Sequence, residues 1–146
     1  MREILFRGKT ENGRWAYGSL ISAGDYCCIL ESEDVVRPMD YPYLDGVMGT
    51  IDGEATPVIP ETVGQFTGLL DKNGKKIFEG DIVTTKYGRL CRVVWFSSSR
   101  TSCWDLEAIG TLENCKHDCP DEHDTYAKEN LEVVSNIHDG KTYTVR

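Results

Sequence analysis

The chain has 146 residues, of which 40% are hydrophobic, and a formal net charge of −8 at pH 7. This length fits one ordinary domain or two very small ones, and it suffices to bury a core without disulfides. Its longest apolar runs fall far short of the roughly 20 residues that cross a bilayer, and the N-terminal MREILFRGK lacks a signal-peptide pattern. We therefore expect a soluble, cytoplasmic protein with no membrane partner.

Short strands are predicted throughout the first thirty residues. Ile4–Phe6 begins the first, and an Asn12-Gly13 turn leads into Arg14–Ile21, which alternates well enough for a second strand. Tyr26–Leu30 is the third. Within it Cys27 and Cys28 must point to opposite faces, so one of them is expected to be buried. Six cysteines without an export signal are expected to be reduced thiols.

The segment 31–57 is less regular, because its prolines forbid a long helix and its glycines add turns. We expect loops there, with a short strand near Asp45–Ile51. This is also the expected seam between two subdomains, residues 1–57 and residues 58–146.

The second half again predicts short strands separated by turns. Extended chain over Val58–Leu70 ends at a tight Asp71–Gly74 turn. One helix is considered, at Asp121–Asn130, where Pro120 and acidic residues favour a first turn. The further strands predicted are Lys76–Phe78, Ile82–Lys86, Arg89–Phe96, Cys103–Ile109, Leu131–Ile137 and Tyr143–Val145.

The strand Arg89–Phe96 carries an irregularity. Leu90, Val93 and Trp95 cannot all lie on one face of a regular strand, so the pattern requires a bulge or burial on both faces. The overall prediction is a mainly β fold, with a β-dominated α+β fold as the alternative. An N-terminal antiparallel β subdomain is followed by a small SH3-like barrel that begins at the EGDIV strand.

Three blocks of sequence resemble the YopX family of phage and prophage proteins. They are REILFRG with WAYG near the N-terminus, PETVGQFTGLLDKNGKKIFEGDIV over Pro60–Val83, and LEVVSNI over Leu131–Ile137. The family has no agreed biochemical activity, so the resemblance implies an origin in a bacterial host and an architecture, and it supplies no catalytic residues. Ser135, where relatives carry glycine, the tail after Ile137 and the Cys115–His123 segment depart from the family pattern.

The segment CKHDCPDEH offers four candidate metal ligands, Cys115, His117, Cys119 and His123. Cysteine and histidine are good zinc ligands, and a tetrahedral site needs four. The spacing is unfavourable, because a CxxxC pair with a histidine inside it does not easily direct three side chains to one ion. The alternative interpretation is an exposed acidic loop with free thiols.

Residues 58–100 are the one basic part of the chain, with 7 basic and 4 acidic side chains. Lys86, Arg89 and Arg92 are the candidate nucleic-acid contacts, with neighbouring aromatic rings available to stack on bases. The alternative is a solvated surface around a core hairpin, which the acidic remainder of the protein favours. The large aromatics Trp15, Tyr17, Trp95 and Trp104 are expected to fill the cores of sheets.

No phosphate-binding loop, nucleophile elbow or catalytic triad is recognisable, and no cofactor is predicted. The leading hypothesis is a non-enzymatic phage or prophage accessory protein that binds another phage or host protein, or itself. A nucleic-acid-binding module using the 82–96 hairpin, and a zinc-stabilised or metal-dependent protein using 115–123, are the alternatives.

Overall fold

The computed structural model describes residues 2–31, 55–113 and 130–145. Regular structure in these ranges consists of ten β-strands and a short 3-10 helix at Pro60–Thr62, with no α-helix. The mainly β prediction is confirmed. The predictions for Asp45–Ile51 and for most of Asp121–Asn130 fall outside the described residues.

The chain forms two compact units. An N-terminal unit comprises Glu3–Gln65, and a C-terminal unit comprises Phe66–Arg146 together with Met1–Arg2. Strand β5, Gly64–Leu70, begins in the first unit and continues in the second. This division by contacts falls within β5, and the subdomains 1–57 and 58–146 stay a prediction.

Four antiparallel strands, in the order β4-β3-β2-β1, make up most of the N-terminal unit. The start of β5 adds to β1, with Gly64 opposite Arg7 and Gln65 opposite Phe6. Tyr26–Leu30 has its predicted bounds, whereas the first strand begins at Phe6 and not at Ile4, whose side chain is exposed. The four strands are β1 (Phe6–Lys9), β2 (Trp15–Ala23), β3 (Tyr26–Leu30) and β4 (Ala55–Val58).

The core of the N-terminal unit is small. Ala16, Ile29 and Val58 pack together, with partly buried hydrophobic side chains around them. Gly18 allows β2 to pass close to the end of β3, since a Cβ at this position would stand 1.8 Å from the carbonyl oxygen of Leu30. Only glycine fits such an approach without moving backbone.

The C-terminal unit contains a four-stranded antiparallel sheet in the order β10-β7-β8-β9. The remainder of β5 pairs with β6 (Lys76–Phe78), which has its predicted bounds. In the described residues β9 and β10 lie at opposite ends of this order, so the sheet is open, and the SH3-like barrel stays a prediction. The sheet consists of β7 (Asp81–Thr84), β8 (Arg89–Ser97), β9 (Ser102–Thr111) and β10 (Glu132–Asn136).

Of the two alternatives for the irregularity near Leu90, β8 shows burial on both faces, and the bulge lies in the partner strand β9. Leu90 pairs with Gly110 while the next residue, Cys91, pairs with Ala108, which leaves Ile109 as the extra residue on β9. Leu90 and Cys91 are both fully buried, so the strand is also covered on its two faces at this point. The bulge restores a regular alternation from Cys91 onward.

The core of the C-terminal unit lies on one face of this sheet. Five buried side chains form it, and Trp104, Leu106 and Val133 pack against it from the rim. Two of the five, Cys91 and Val93, lie two residues apart on β8 and so share the inward face. The buried residues of this core are Ile77, Val83, Cys91, Val93 and Leu131.

The Asp71–Gly74 turn is fastened by one carboxylate. Asp71 Oδ1 accepts the backbone N–H groups of Asn73 at 2.8 Å and Lys75 at 2.9 Å, while Oδ2 accepts that of Val133 on β10 at 3.0 Å. Gly74 completes the turn in the left-handed region, with a φ of 79°. The side chain therefore ties a local turn to a strand far along the chain.

The Glu79–Gly80 turn is fastened in a similar way. Asp81 is almost fully buried and its Oδ2 accepts the N–H of Phe78 at 2.8 Å. The N–H of Gly80 donates to the carbonyl oxygen of Val93, and the carbonyl oxygen of Gly80 accepts from the N–H of Ile137, each at 2.9 Å. The turn thus joins β8 and the end of β10 through backbone bonds.

Candidate binding surface

An apolar groove lies in the C-terminal unit, beside the core. It opens over the inward face of β8 and β9 and is bordered on its other side by β5 and β6, with a volume of ≈ 420 Å³. This volume is within the range of sites that hold a small molecule or a few side chains of a partner. The lining residues are Thr67, Leu69, Ile77, Val93, Trp104, Asp105, Leu106 and Leu131.

Two tryptophans stand directly opposite each other on β8 and β9. The rings of Trp95 and Trp104 meet edge to face, with their centroids 4.8 Å apart. Trp104 is partly buried against the core and lines the groove, whereas Trp95 is 50% exposed. The pair therefore continues the apolar surface of the groove towards the end of the hairpin.

Further apolar side chains are exposed around this pair. Phe96 is 44% exposed on the opposite face of β8, and Leu69 at the edge of the groove is 41% exposed. The core-filling expectation is wrong for Trp95, and also for Tyr17 in the N-terminal unit, which is 45% exposed. Trp95 lies beyond the last buried residue of β8, Val93, where the core no longer covers the sheet.

Strand β9 is the edge of its sheet in the part of the chain that the structure describes. The middle of this strand alternates: Trp104 and Leu106 pack towards the core, while Asp105 and Glu107 are exposed. Edge strands present unpaired backbone N–H and C=O groups, and proteins commonly protect them with Pro or Lys. Neither residue occurs in β9.

The candidate nucleic-acid contacts do not form an open basic surface. Arg92 is opposite Glu107 and forms a salt bridge with it, its Nε donating at 3.0 Å. The ammonium of Lys86 lies 4.9 Å from the ring centroid of Tyr87. Arg89 is half-buried on β8, opposite Thr111. The charge of Arg92 is therefore matched within the protein itself.

The candidate metal ligands Cys115, His117, Cys119 and His123 lie outside the described residues. Within residues 2–31, 55–113 and 130–145, no group of three or more His, Cys, Asp or Glu side chains is arranged to hold an ion. Four free cysteines are described. Of the adjacent pair, Cys28 is buried and Cys27 is partly buried, which fits the expectation that one of them is buried. Cys91 is also buried, and Cys103 is exposed.

A second, more polar groove of ≈ 670 Å³ lies in the N-terminal unit. At its side Arg14 holds Glu31 through two bonds of 2.8 and 3.1 Å, and Thr56 donates to the same carboxylate at 2.7 Å. Hydrogen bonds from Arg14 and then Thr56 lower the pKa of Glu31, so this carboxylate is a stable anion. Arg14, Thr56 and Glu31 are therefore bonded to one another at the side of this groove.

Asp71 lies in a turn that the sequence predicts, and its carboxylate has a structural role beyond that turn. Burial raises the pKa of its carboxyl, but the N–H groups of Val133, Lys75 and Asn73 outweigh burial and hold the pKa below its usual value. An Asp-x-Asn-Gly turn was a usable signal for its local bonds. Nothing local indicated the bond to Val133.

The antiparallel sheets of the described residues define a mainly β protein built from two small units. The chain belongs to the YopX family: the family model described as YopX protein matches residues 6–141. The resemblance inferred from the three sequence blocks is thereby confirmed. A comparison with curated proteins gives no match. In the described residues no helix has the length and apolarity of a membrane span.

Proposed function

We propose that this protein is a non-enzymatic accessory protein that binds another protein through the C-terminal groove and the Trp95–Trp104 pair. The observation that carries the proposal is the half-exposed Trp95, which meets Trp104 edge to face beside an apolar groove. Exposed aromatics next to a concave apolar surface are typical of protein–protein contacts, where tryptophan often dominates the binding energy.

The physical argument concerns the exposure of these rings to water. A tryptophan at the end of a strand gains little stability for its own fold while half of its surface stays hydrated. A partner that covers Trp95 and Leu69 removes both from water and also fills the groove. Burial of this kind is the main favourable term in most protein association.

Nucleic acid is a less suitable partner for this surface. Arg92 is neutralised by Glu107, and the chain as a whole carries a net charge of −8. Binding to nucleic acid depends on uncompensated Lys and Arg side chains. We therefore expect an Arg89→Glu, Arg92→Glu double variant to show no change in salt-dependent binding to DNA or RNA.

The origin and setting of the protein are part of the proposal. The family resemblance supports a phage or prophage origin and a site of action in the bacterial cytoplasm, and the Gly-Asp-hydrophobic strand pattern supports an SH3-like C-terminal unit. The zinc site at 115–123 remains an alternative that elemental analysis of the purified protein decides. Near-stoichiometric zinc would favour it, and its absence would end it.

Affinity capture with matched variants tests the proposed surface. Wild-type protein, a Trp95→Ser, Leu69→Ser double variant and a Tyr17→Ser control are each used as bait in prophage-induced cells, after melting curves show that all three are folded. We expect a defined protein to be captured by wild type and by the control but not by the double variant. Purified, that protein should bind with the same variant dependence.

Retention of every captured protein by the double variant would contradict the proposal, because the groove surface would then play no part. Light scattering on the purified chain adds a second arm. A dimer that the double variant converts to a monomer would show that the partner is a second copy.

A further inference from the structure

In the described residues no strand pairs with the outer edge of β9 over its first eight residues, 102–109, and this edge extends the surface that the groove begins. Its far end is covered, because Val145 packs at Gly110 and pairs with Leu112. β9 has ten residues and spans roughly 34 Å at about 3.4 Å per residue. Its other edge is fully used, because it pairs with β8 from Ser97 opposite Ser102 to Arg89 opposite Thr111. An added strand would continue this ladder over residues 102–109, short of the end that Val145 covers, which is a common way of binding an extended peptide.

The alternation along β9 specifies the side chains of such a strand. Residues on one face of a pair meet across the strands, so an added strand would present alternate residues to Trp104 and Leu106 and the others to Asp105 and Glu107. Apolar side chains suit the first face, where the groove lies. Lys or Arg suits the second, because β9 carries two acidic side chains and no basic one.

Asp105 is the acidic group most available to a partner. Glu107 is already held by Arg92, whereas the exposed Asp105 carboxylate accepts a local bond from the N–H of Leu106 at 2.8 Å and, in the described residues, forms no salt bridge. A basic residue of an added strand would therefore find its strongest complement opposite Asp105 or beside it.

A second copy of this chain suits the edge less well. If two copies of β9 pair antiparallel about a two-fold axis at Leu106, Asp105 of one copy lies opposite Glu107 of the other. If the axis lies at Asp105 or at Glu107, that acidic residue lies opposite the same residue of the other copy. Like charges directly opposite each other destabilise a sheet. The net charge of −8 on each copy adds to the repulsion.

We propose that the β9 edge receives an extended segment of a different protein, alternating apolar and basic residues, which adds an antiparallel strand and places its apolar side chains in the groove. This inference rests on the proposed function, since it names the class of segment that the groove binds. It adds two requirements that the groove alone does not make: backbone hydrogen bonds to β9 and positive charge opposite Asp105.

A displayed library of ten-residue peptides tests it. The library alternates apolar residues with fully random ones and is selected against the full-length protein. We expect Lys and Arg to be enriched at the random positions. Peptides chosen from the selection are then compared with versions N-methylated at every second residue along the pairing edge, which should bind more than about tenfold more weakly because several hydrogen bonds are lost.

The protein variant is Asp105→Lys, with Glu11→Lys as the matched control. Both replace an exposed acidic residue by lysine, but Glu11 lies in the first hairpin turn of the N-terminal unit. We expect about fivefold weaker peptide binding for Asp105→Lys, the size of a surface ion pair lost and reversed, and no change for Glu11→Lys.

Each other outcome has a definite meaning. Peptides selected without charge preference, or indifferent to N-methylation, would overturn the edge inference while leaving the groove as a docking site. An empty selection would also overturn it, and the Trp95 and Leu69 capture experiment would then judge the proposed function separately. If the protein self-associates and Asp105→Lys either abolishes or enhances this self-association, the β9 edge would be assigned to a second copy of the chain instead.

Discussion

Replacing Asp71 by asparagine removes one part of a buried hydrogen-bond system and leaves the rest. The amide oxygen of asparagine can still accept from Asn73 and Lys75, which lie 2.8 and 2.9 Å from Oδ1. The amide nitrogen, however, would face the N–H of Val133, which now donates to Oδ2 at 3.0 Å. The change therefore breaks the long-range bond selectively and sets two donors against each other.

The expected cost follows from the number and type of bonds. A hydrogen bond to a charged group contributes about 1.5–3 kcal/mol, so Asp71→Asn should lower the free energy of unfolding by about 2–3 kcal/mol. Asp71→Ala leaves all three N–H groups without this acceptor, and we expect it to lower the free energy of unfolding by about 4 kcal/mol. The side chain is only 6% exposed, so water cannot easily replace the lost bonds.

Urea unfolding followed by tryptophan fluorescence measures this effect. Of the three tryptophans, Trp15 lies in the N-terminal unit, so a Trp15→Phe background leaves only Trp95 and Trp104 to report on the C-terminal unit. The matched control is Asp105→Asn, an exposed aspartate, which should change the free energy by less than about 0.5 kcal/mol. Equal small effects for Asp71→Asn and the control would refute the argument.

The same pair of proteins has a defined pH dependence. The pKa of Asp71 is held below its unfolded value, so the stabilisation is present above about pH 4 and is lost as the pH falls through the lower folded pKa. The difference in stability between wild type and Asp71→Asn should therefore be largest near neutral pH and shrink on acidification. A difference that stays constant down to pH 3 would contradict a charged acceptor.

Two further predictions concern single positions in each unit. Gly18→Ala should lower the free energy of unfolding by more than about 3 kcal/mol, because its Cβ would meet the Leu30 carbonyl oxygen. Gly24→Ala, with open space around it and a φ of 61°, should lower it by about 1 kcal/mol. Thermal melts compare the two variants, and similar values would contradict the close approach at Gly18. In native protein, Cys103 should react with a maleimide much faster than the fully buried Cys91, as peptide mapping by mass spectrometry will show; equal rates would contradict the described burial.

Turns and short strands were predictable because their signals are local. Tyr26–Leu30 and Lys76–Phe78 have the predicted bounds, since a turn with a glycine at positive φ, Gly24 or Gly74, precedes β-prone residues in each case. Alternation along Arg89–Phe96 indicated a bulge or burial on both faces, and β8 shows the burial while the bulge is in β9. The exposure of Trp95 did not follow, because burial of a strand residue depends on which element covers that part of the sheet. The bond from Asp71 to Val133 joins residues 62 apart in sequence, and no local pattern specifies it.

Contacts between residues far apart in sequence also connect the blocks that carry the family resemblance. Two of its blocks, Pro60–Val83 and Leu131–Ile137, are distant in sequence but joined in the structure by the bonds of Asp71 and Gly80 and by the β7–β10 pairing.

Trp95, Phe96 and Trp104 lie in neither block, nor does any residue of β9. The blocks therefore account for a scaffold of turns and strand pairings, and the exposed hairpin lies between them, within the residues 6–141 that the family model matches. If this division is correct, exchanging residues 95–107 between two family members should transfer the choice of partner and leave the stability set by Asp71 unchanged. A transplant that unfolds the C-terminal unit would show instead that hairpin and scaffold depend on each other.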